Sequence, residues 1–200
     1  MAAKTAQKKK GRSIAKRPAP KKAARKPGAK SASPGRAPKS VKQQFLDAFN
    51  REHACTMKVL RAFPPDQVSF RPHPRSNSVK DLAFTFVMEQ RLISLALRDE
   101  LKLGGGQPQA PEEFNAVVEQ FEREYRDLVR LIEQLPAAKQ AGTIKFPVGP
   151  GKIGDWDRMD FAWFMLHDQI HHRGQLTVYL RMIGGQVPAI YGPSSDEPWF

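Results

Sequence analysis

The chain has 200 residues, of which 40% are hydrophobic and 12 are phenylalanine, so it can bury one sizeable core. Its formal net charge is +13, and its single cysteine excludes a framework of internal disulfides. The sequence contains no run of about 18 apolar residues, which predicts a cytoplasmic protein without a membrane span.

Residues 1–40 are the first predicted segment. They carry 14 Lys or Arg, five Pro and no Asp or Glu. A segment with so few apolar side chains and so much like charge is predicted to be disordered. It resembles the Lys/Ala/Pro-rich tails of histone H1-like proteins, and it can bind nucleic acid without sequence preference, which would place the protein on the nucleoid. The alternative is a solubilising extension with no partner.

Residues 41–200 show apolar side chains at helical spacing. The pattern predicts four helices, which cover residues 41–63, 79–103, 111–135 and 158–183, with Ser78 as N-cap of the second helix and Gly104 to Gly106 as its end. The stretch TIKFPVGPGKIGDW is too rich in Gly and Pro for regular structure, although TIKFPV could be extended. The sequence therefore predicts an all-α fold, an antiparallel four-helix bundle.

The stretch HDQIHHRGQ, residues 167–175, contains three of the five histidines. His167 and His171 are four residues apart, so on a helix they share a face and can bind one ion. Phe164 and Ile170 place both histidines on or beside the buried stripe, whereas His172 points about 100° away from His171 and is expected behind the ligands or at the surface. Two ordinary histidines at the edge of the core are the alternative.

The run HDQIHHRGQLTVYLRMIGGQVPAIYGPSSDE resembles the C-terminal motif of the DinB-like (DinB/YfiT) family, and RPHPRSNSVKDLA resembles that family's loop into its second helix. The resemblance implies a four-helix bundle with a divalent metal site of three histidines. Two of these come from the last helix and carry over to His167 and His171. The third comes from the second helix, where this sequence has Thr85 after DLAF. A threonine hydroxyl is a poor ligand for a transition metal.

Glu89 lies one turn after Thr85 and is the candidate replacement for the missing ligand. Two histidines and one carboxylate suit several divalent ions, and Zn, Ni, Mn and Fe all stay open. Glu89 can instead serve as a structural partner for Arg91, Arg173 or a histidine, or lie at a solvated edge.

Five other residues have expected roles. His53 is a further candidate ligand on the first helix, His73 belongs to a packed turn, and Cys55 is expected to be a buried structural thiol. Gly174 in mid-helix predicts the close approach of another helix. Arg181 can tether the C-terminal segment through the acidic residues at 196 and 197.

Two functions agree with these features. The first is a metal-dependent enzyme, as the resemblance implies, which uses a thiol cofactor to act on a small molecule by transferase or hydrolase-type chemistry. The second is a bundle without catalysis, comprising residues 41–200, that serves as a binding or oligomerisation module, for instance as a homodimer. In that case residues 1–40 would hold it on nucleic acid.

Overall fold

A computed structural model describes residues 38–106 and 108–200 of the chain. The predicted disorder of residues 1–40 therefore falls almost entirely outside the described residues. The elements are α1 (Val41–Arg61), a 3₁₀ turn (Pro65–Gln67), α2 (Val79–Arg98), α3 (Phe114–Gln134), α4 (Ala137–Gln140), β1 (Thr143–Gly149), β2 (Lys152–Asp157) and α5 (Arg158–Met182). No helix among these described elements is long and apolar enough to cross a membrane.

The ends of α2 show which sequence signals decide a helix boundary. The Ser78 hydroxyl accepts from the amide of Asp81 at 3.1 Å, so the predicted N-cap is confirmed. The predicted end at Gly104 is wrong, because α2 ends at Arg98. Asp99 turns left-handed with φ 70, and the amide of Glu100 reaches back to the Leu95 carbonyl. A side-chain partner helps to hold this turn, since Arg158 contacts the Asp99 carboxylate at 2.7 Å.

The fold is mostly helical as predicted but is not all-α, because β1 and β2 form an antiparallel hairpin. The first strand, β1, confirms the prediction that TIKFPV could be extended. Ile144 of β1 is buried, and Phe146 packs with its ring 4.7 Å from that of Phe161 on α5. Pro147 is tolerated because both strands of a two-stranded sheet are edges, and the register shifts between Pro147 and Gly149. The chain is therefore mostly helical with one small sheet, and tertiary packing of alternate apolar residues overrides the Gly and Pro content.

Four long helices surround the core. α2 packs against α3 and α5, and α1 packs against the same two helices. The buried apolar side chains form two clusters, one on the hairpin side that includes Phe49 and Phe161, and a second that includes Phe86 and Phe121. Their fully buried aromatic rings supply much of the hydrophobic stabilisation.

Between the two apolar clusters lies a set of buried polar side chains, which we call the polar layer. Its members occupy the middle of three helices: Glu52 and Thr56 on α1, Glu89 and Gln90 on α2, and Gln169 and Arg173 on α5. Buried polar groups are costly unless they are paired, so the partners of this layer distinguish a structural role from a functional one.

The C-terminal segment after α5 has no regular structure but is fixed by its acidic residues. Arg181 donates to both carboxylate oxygens of Asp196 at 3.2 and 2.5 Å, which confirms the predicted tether. Asp196 also accepts from the Val187 amide, and Glu197 accepts from the Ala189 amide, both at 2.7 Å. The segment is thus tied to the end of α5 and to itself.

Candidate metal centre

Three side chains converge between α2 and α5, at the level of the polar layer. Glu89, Asp168 and His172 each offer one ligand atom, and these three atoms lie within 4.8 Å of one another. Within residues 38–106 and 108–200, this is the group of three or more ligand-type side chains that could hold one ion. We refer to it as the Glu89 cluster.

The helices themselves place these side chains. Asp168 and His172 are four residues apart on α5, so both project from one face toward α2. Glu89 meets them from the middle of α2 with a side chain only 4% exposed. The exposed fraction rises to 19% for the His172 side chain and 38% for that of Asp168. The cluster is therefore closed at Glu89 and open to solvent at Asp168.

Glu89 and His172 are joined by a hydrogen bond of 2.9 Å between Oε1 and Nδ1. Burial, together with the Asp168 carboxylate, raises the pKa of Glu89 to about 8, against the hydrogen bond from His172. The hydrogen bond to Glu89 in turn raises the pKa of His172 above its ordinary value, against the effect of burial. Glu89 and His172 thus share a proton between them. A cation bound beside Glu89 would favour the ionised form of its carboxylate.

The donor set fits a divalent cation. Glu89 Oε2 is buried and has no hydrogen-bond partner among the described residues. A carboxylate oxygen of this kind costs free energy as it stands and is a natural ligand atom. Two carboxylates and one imidazole suit Mn, Fe and Zn ions, and three protein ligands leave coordination positions open.

The structure brings one of the three predicted ligands into this cluster and leaves the other two outside it. Glu89 is present, but His167 and His171 are exposed on the outer face of α5. The Nε2 of His171 lies 2.8 Å from the Gln175 side-chain amide, and the His167 ring lies 5.9 Å from that of Trp163. Their expected place beside the buried stripe is therefore wrong.

The reason is the pattern of α5 itself. Apolar residues occupy its exposed side as well, with Phe164 and Val178 at 40% and 57% exposure, so hydrophobicity does not reveal which face is buried. A one-residue shift of the i,i+4 pattern selects Asp168 and His172 in place of His167 and His171. The buried side of α5 carries the polar residues Gln169 and Arg173, so its composition does not set it apart from the exposed side.

The remaining candidates lie elsewhere. The Thr85 hydroxyl donates to the Asp81 carbonyl on its own helix at 3.2 Å. His53 stacks on Tyr125 with ring centroids 3.6 Å apart, and its Nδ1 is buried without a partner in the described chain. His73 accepts from the Arg75 amide in an exposed loop. Cys55 is buried with a free thiol, in agreement with a structural role.

Sequence reasoning missed a second polar cluster, formed by Glu52, Arg173 and Tyr191. Arg173 donates to Glu52 Oε2 at 2.8 Å and to the Tyr191 hydroxyl at 2.6 Å, and that hydroxyl donates to the same carboxylate. Arg173 also donates to the Glu52 carbonyl and to Thr56. Burial raises the pKa of Glu52, but the hydrogen bonds from Tyr191 and Arg173 and the charges of Arg173 and Arg51 outweigh it and lower the pKa overall.

Gly174 does not have its expected role. A Cβ added there would meet nothing within 4 Å in the described chain, and the residue is exposed. The prediction of a close helix approach at Gly174 is therefore wrong within this chain.

Comparisons with known proteins place this architecture. A model described as the DinB family matches residues 38–199. The uncharacterized protein YrdA of Bacillus subtilis strain 168 is 53% identical over 34 residues, which are 17% of this chain and 20% of that protein. This chain therefore matches about a fifth of the length of that curated relative.

Two solved structures are similar in fold. A DinB-like protein from Bacillus cereus ATCC 10987 superposes with a TM-score of 0.61 at 22% identity, covering 74% of this chain and 97% of that one. The DinB-like protein YjoA from Bacillus subtilis gives 0.59 at 18% identity with the same coverage. At these identities the likeness establishes the fold and leaves the chemistry to the residues of the site.

Proposed function

The chain belongs to the DinB family, and we propose that it binds one divalent metal ion through Glu89, Asp168 and His172. The observation that carries this proposal is the buried Glu89 carboxylate, with one oxygen on His172 and the other without a partner in the described chain. A buried carboxylate without a partner raises the free energy of the folded protein, whereas a bound cation would compensate its charge and use it as a ligand.

Each residue has a separate part in the proposed site. Glu89 contributes the buried anionic charge, and α2 fixes its position. His172 contributes a neutral imidazole once its proton has left, and Asp168 supplies a second carboxylate at the solvent side. The gradient of exposure from Glu89 to Asp168 leaves one side of the cluster accessible to a small molecule.

We further propose that the protein is a metal-dependent enzyme that activates a thiol for attack on a small electrophile. A divalent ion bound with open positions supplies Lewis-acid chemistry that lowers the pKa of a thiol or water. In this proposal Glu89, Asp168 and His172 hold and orient the reacting group and the partly buried cluster limits the access of water. Cys55 is buried near the middle of α1, so the thiol comes from a separate molecule.

Metal stoichiometry tests the first proposal. After dialysis against Mn²⁺ and removal of free ion, we expect one ion per wild-type chain and none on Glu89→Gln. Glu124→Gln is the matched control, because Glu124 is paired with Arg91 at 2.7 Å outside the cluster. Equal metal content in the wild type and in Glu89→Gln would refute the site.

The thiol step has its own test, which needs no knowledge of the electrophile. Addition of a small thiol such as dithiothreitol to the Co²⁺-loaded protein should produce thiolate-to-cobalt charge-transfer absorption. Loading without that absorption would retain the metal site and reject the thiol chemistry.

Nucleic-acid contact by residues 1–40 is a second proposal, and it rests on the concentration of 14 Lys or Arg and no acidic residue in that segment. We expect retention of DNA by the full chain to fall steeply with salt and to be lost when residues 1–37 are removed. This truncation keeps Ser40, which caps α1. Undiminished binding after truncation would contradict the proposal.

A further inference from the structure

A cavity of about 490 Å³ lies between α2, the loop that follows it and β1. Its volume is in the range of small-molecule sites, which is about 300 to 1,000 Å³. The apolar part of its lining consists of Met88, Leu92, Leu95, Leu101, Leu103 and Phe146. It does not include any member of the Glu89 cluster.

Two of the four leucines among the described residues that line this cavity are exposed to solvent. Leu95 is 37% exposed and Leu103 is 45% exposed, while Leu92, Leu101 and Phe146 are partly buried against the core. Displacement of water from converging apolar side chains by an apolar ligand lowers the free energy and so favours binding. The shape and composition therefore favour an apolar group as the bound species.

The charges of the lining are of one sign. Arg91 and Lys102 border the cavity, and neither Asp nor Glu is among the described residues that line it. Arg91 uses Nε to bind Glu124 at 2.7 Å, which holds the guanidinium in place and leaves its terminal nitrogens for another anion. Lys102 is exposed and forms no ion pair within the part of the chain that the structure describes.

From this juxtaposition of an apolar concavity with two cations and no carboxylate among its described lining residues, we propose that the cavity binds a small amphiphilic anion, namely a carboxylate with an aliphatic chain. The chain lies against Leu92, Leu95 and Leu103, and the carboxylate lies toward Arg91 and Lys102. Binding does not need the metal ion, so this inference stands or falls separately from the proposed function.

Calorimetric titration of the full chain with octanoate tests the proposal, with octyltrimethylammonium as a probe of the same chain length and opposite charge. We expect octanoate to bind at one site per chain and the cationic amphiphile not to bind. Lys102→Glu should weaken octanoate binding about tenfold, which is the effect of a change near 1.4 kcal/mol. Lys152→Glu, at the exposed tip of the hairpin, makes the same charge change outside the cavity and should leave the affinity as in the wild type.

Leu103→Asp tests the apolar wall independently and should weaken octanoate binding by a similar factor. Both altered loop residues are exposed, so each variant should retain the wild-type helical circular dichroism and Mn²⁺ content. Absence of octanoate binding to the wild type would overturn the proposal. So would equal affinities for the two amphiphiles, or octanoate affinities for Lys102→Glu and Leu103→Asp that match the wild type.

Discussion

Two polar clusters occupy the same layer of this protein, and adjacent residues of α5 belong to them. Arg173 belongs to the cluster that it forms with Glu52 and Tyr191, which we call the Glu52 cluster, and its guanidinium donates to a carboxylate, a carbonyl and two hydroxyls. His172 enters the Glu89 cluster, in which one carboxylate oxygen is buried without a partner in the described chain. Adjacent residues of α5 thus belong to two different kinds of cluster. In the Glu52 cluster the buried charge is paired, and we call it saturated; in the Glu89 cluster one buried carboxylate oxygen has no partner in the described chain, and we call it unsaturated.

The hydrogen-bond partners of a buried charged side chain distinguish a structural role from a ligand-binding role. The Glu52 cluster compensates its own charge and ties the C-terminal segment to α1 and α5 through Tyr191, which is a structural role. The Glu89 cluster leaves a carboxylate that is poorly compensated by the protein, which is expected where a cation or ligand completes the set. The comparison therefore predicts opposite responses when the two glutamates are replaced.

The largest effect is expected at the saturated cluster. Glu52→Ala leaves the Arg173 guanidinium buried without its carboxylate, which should lower the free energy of unfolding by about 3–5 kcal/mol. Urea denaturation of the metal-free protein measures this change. Tyr191→Phe removes a hydroxyl and leaves the ion pair, so it should cost about 1 kcal/mol. Equal losses for the two variants would show that the ion pair is not the stabilising element.

His53 is a third buried ionisable group, and it avoids the free-energy cost of a buried charge because it stays neutral. Burial, with help from the charges of Arg61 and Arg126, lowers the pKa of His53 to about 4 from the usual 6.5. The unfolded chain therefore binds the proton more readily, and stability should fall as the pH drops from 6.5 to 4, by up to about 3 kcal/mol. His53→Phe should flatten that decline in pH-dependent urea titrations, whereas replacing the exposed His73 by Phe should not.

A smaller effect, of opposite sense to that at Glu52, is expected at the unsaturated cluster. Glu89→Leu removes a buried, poorly paired carboxylate, so the metal-free protein should be as stable as the wild type or more stable, by about 1 kcal/mol. Urea denaturation in the presence of a chelator gives the value. A loss as large as that of Glu52→Ala would mean that Glu89 is a structural residue.

The smallest effect concerns the outer face of the same helix. Gly174 has open space where a Cβ would be, so Gly174→Ala should raise the free energy of unfolding by about 0.5–1 kcal/mol through helix propensity. Thermal denaturation at low protein concentration measures it. Destabilisation would show that something approaches this face closely in solution.

The sequence predicted the helices wherever a strong local signal marks them. Ser78 located the start of α2, whereas α3 begins at Phe114, three residues after the predicted start at Pro111. The long amphipathic repeat of α3 places Phe121 and Leu128 in the core. The extended TIKFPV was anticipated, but β2 and its pairing with β1 were missed, because the hairpin is stabilised by Ile144 and Phe146 packing on the core, a nonlocal effect that Gly and Pro content conceals.

The candidate site was predicted in part for a related reason. Glu89 was named from its spacing, and the last helix, named as the second element, supplies Asp168 and His172 to the candidate cluster. The helical phase of α5 could not be derived from hydrophobicity, because Phe164 and Val178 are apolar yet exposed. The pairing of Glu52 with Arg173 spans 121 positions, and no local pattern indicates such a contact.

The adjacent histidines of α5 provide the most direct test of the central claim. We expect Mn²⁺ titration followed by electron paramagnetic resonance to show one bound ion per chain for the wild type and for His171→Ala, and none for His172→Ala. The two variants remove the same side chain from neighbouring positions, so general effects on the helix cancel. Binding that survives His172→Ala but is lost in His171→Ala would contradict the account.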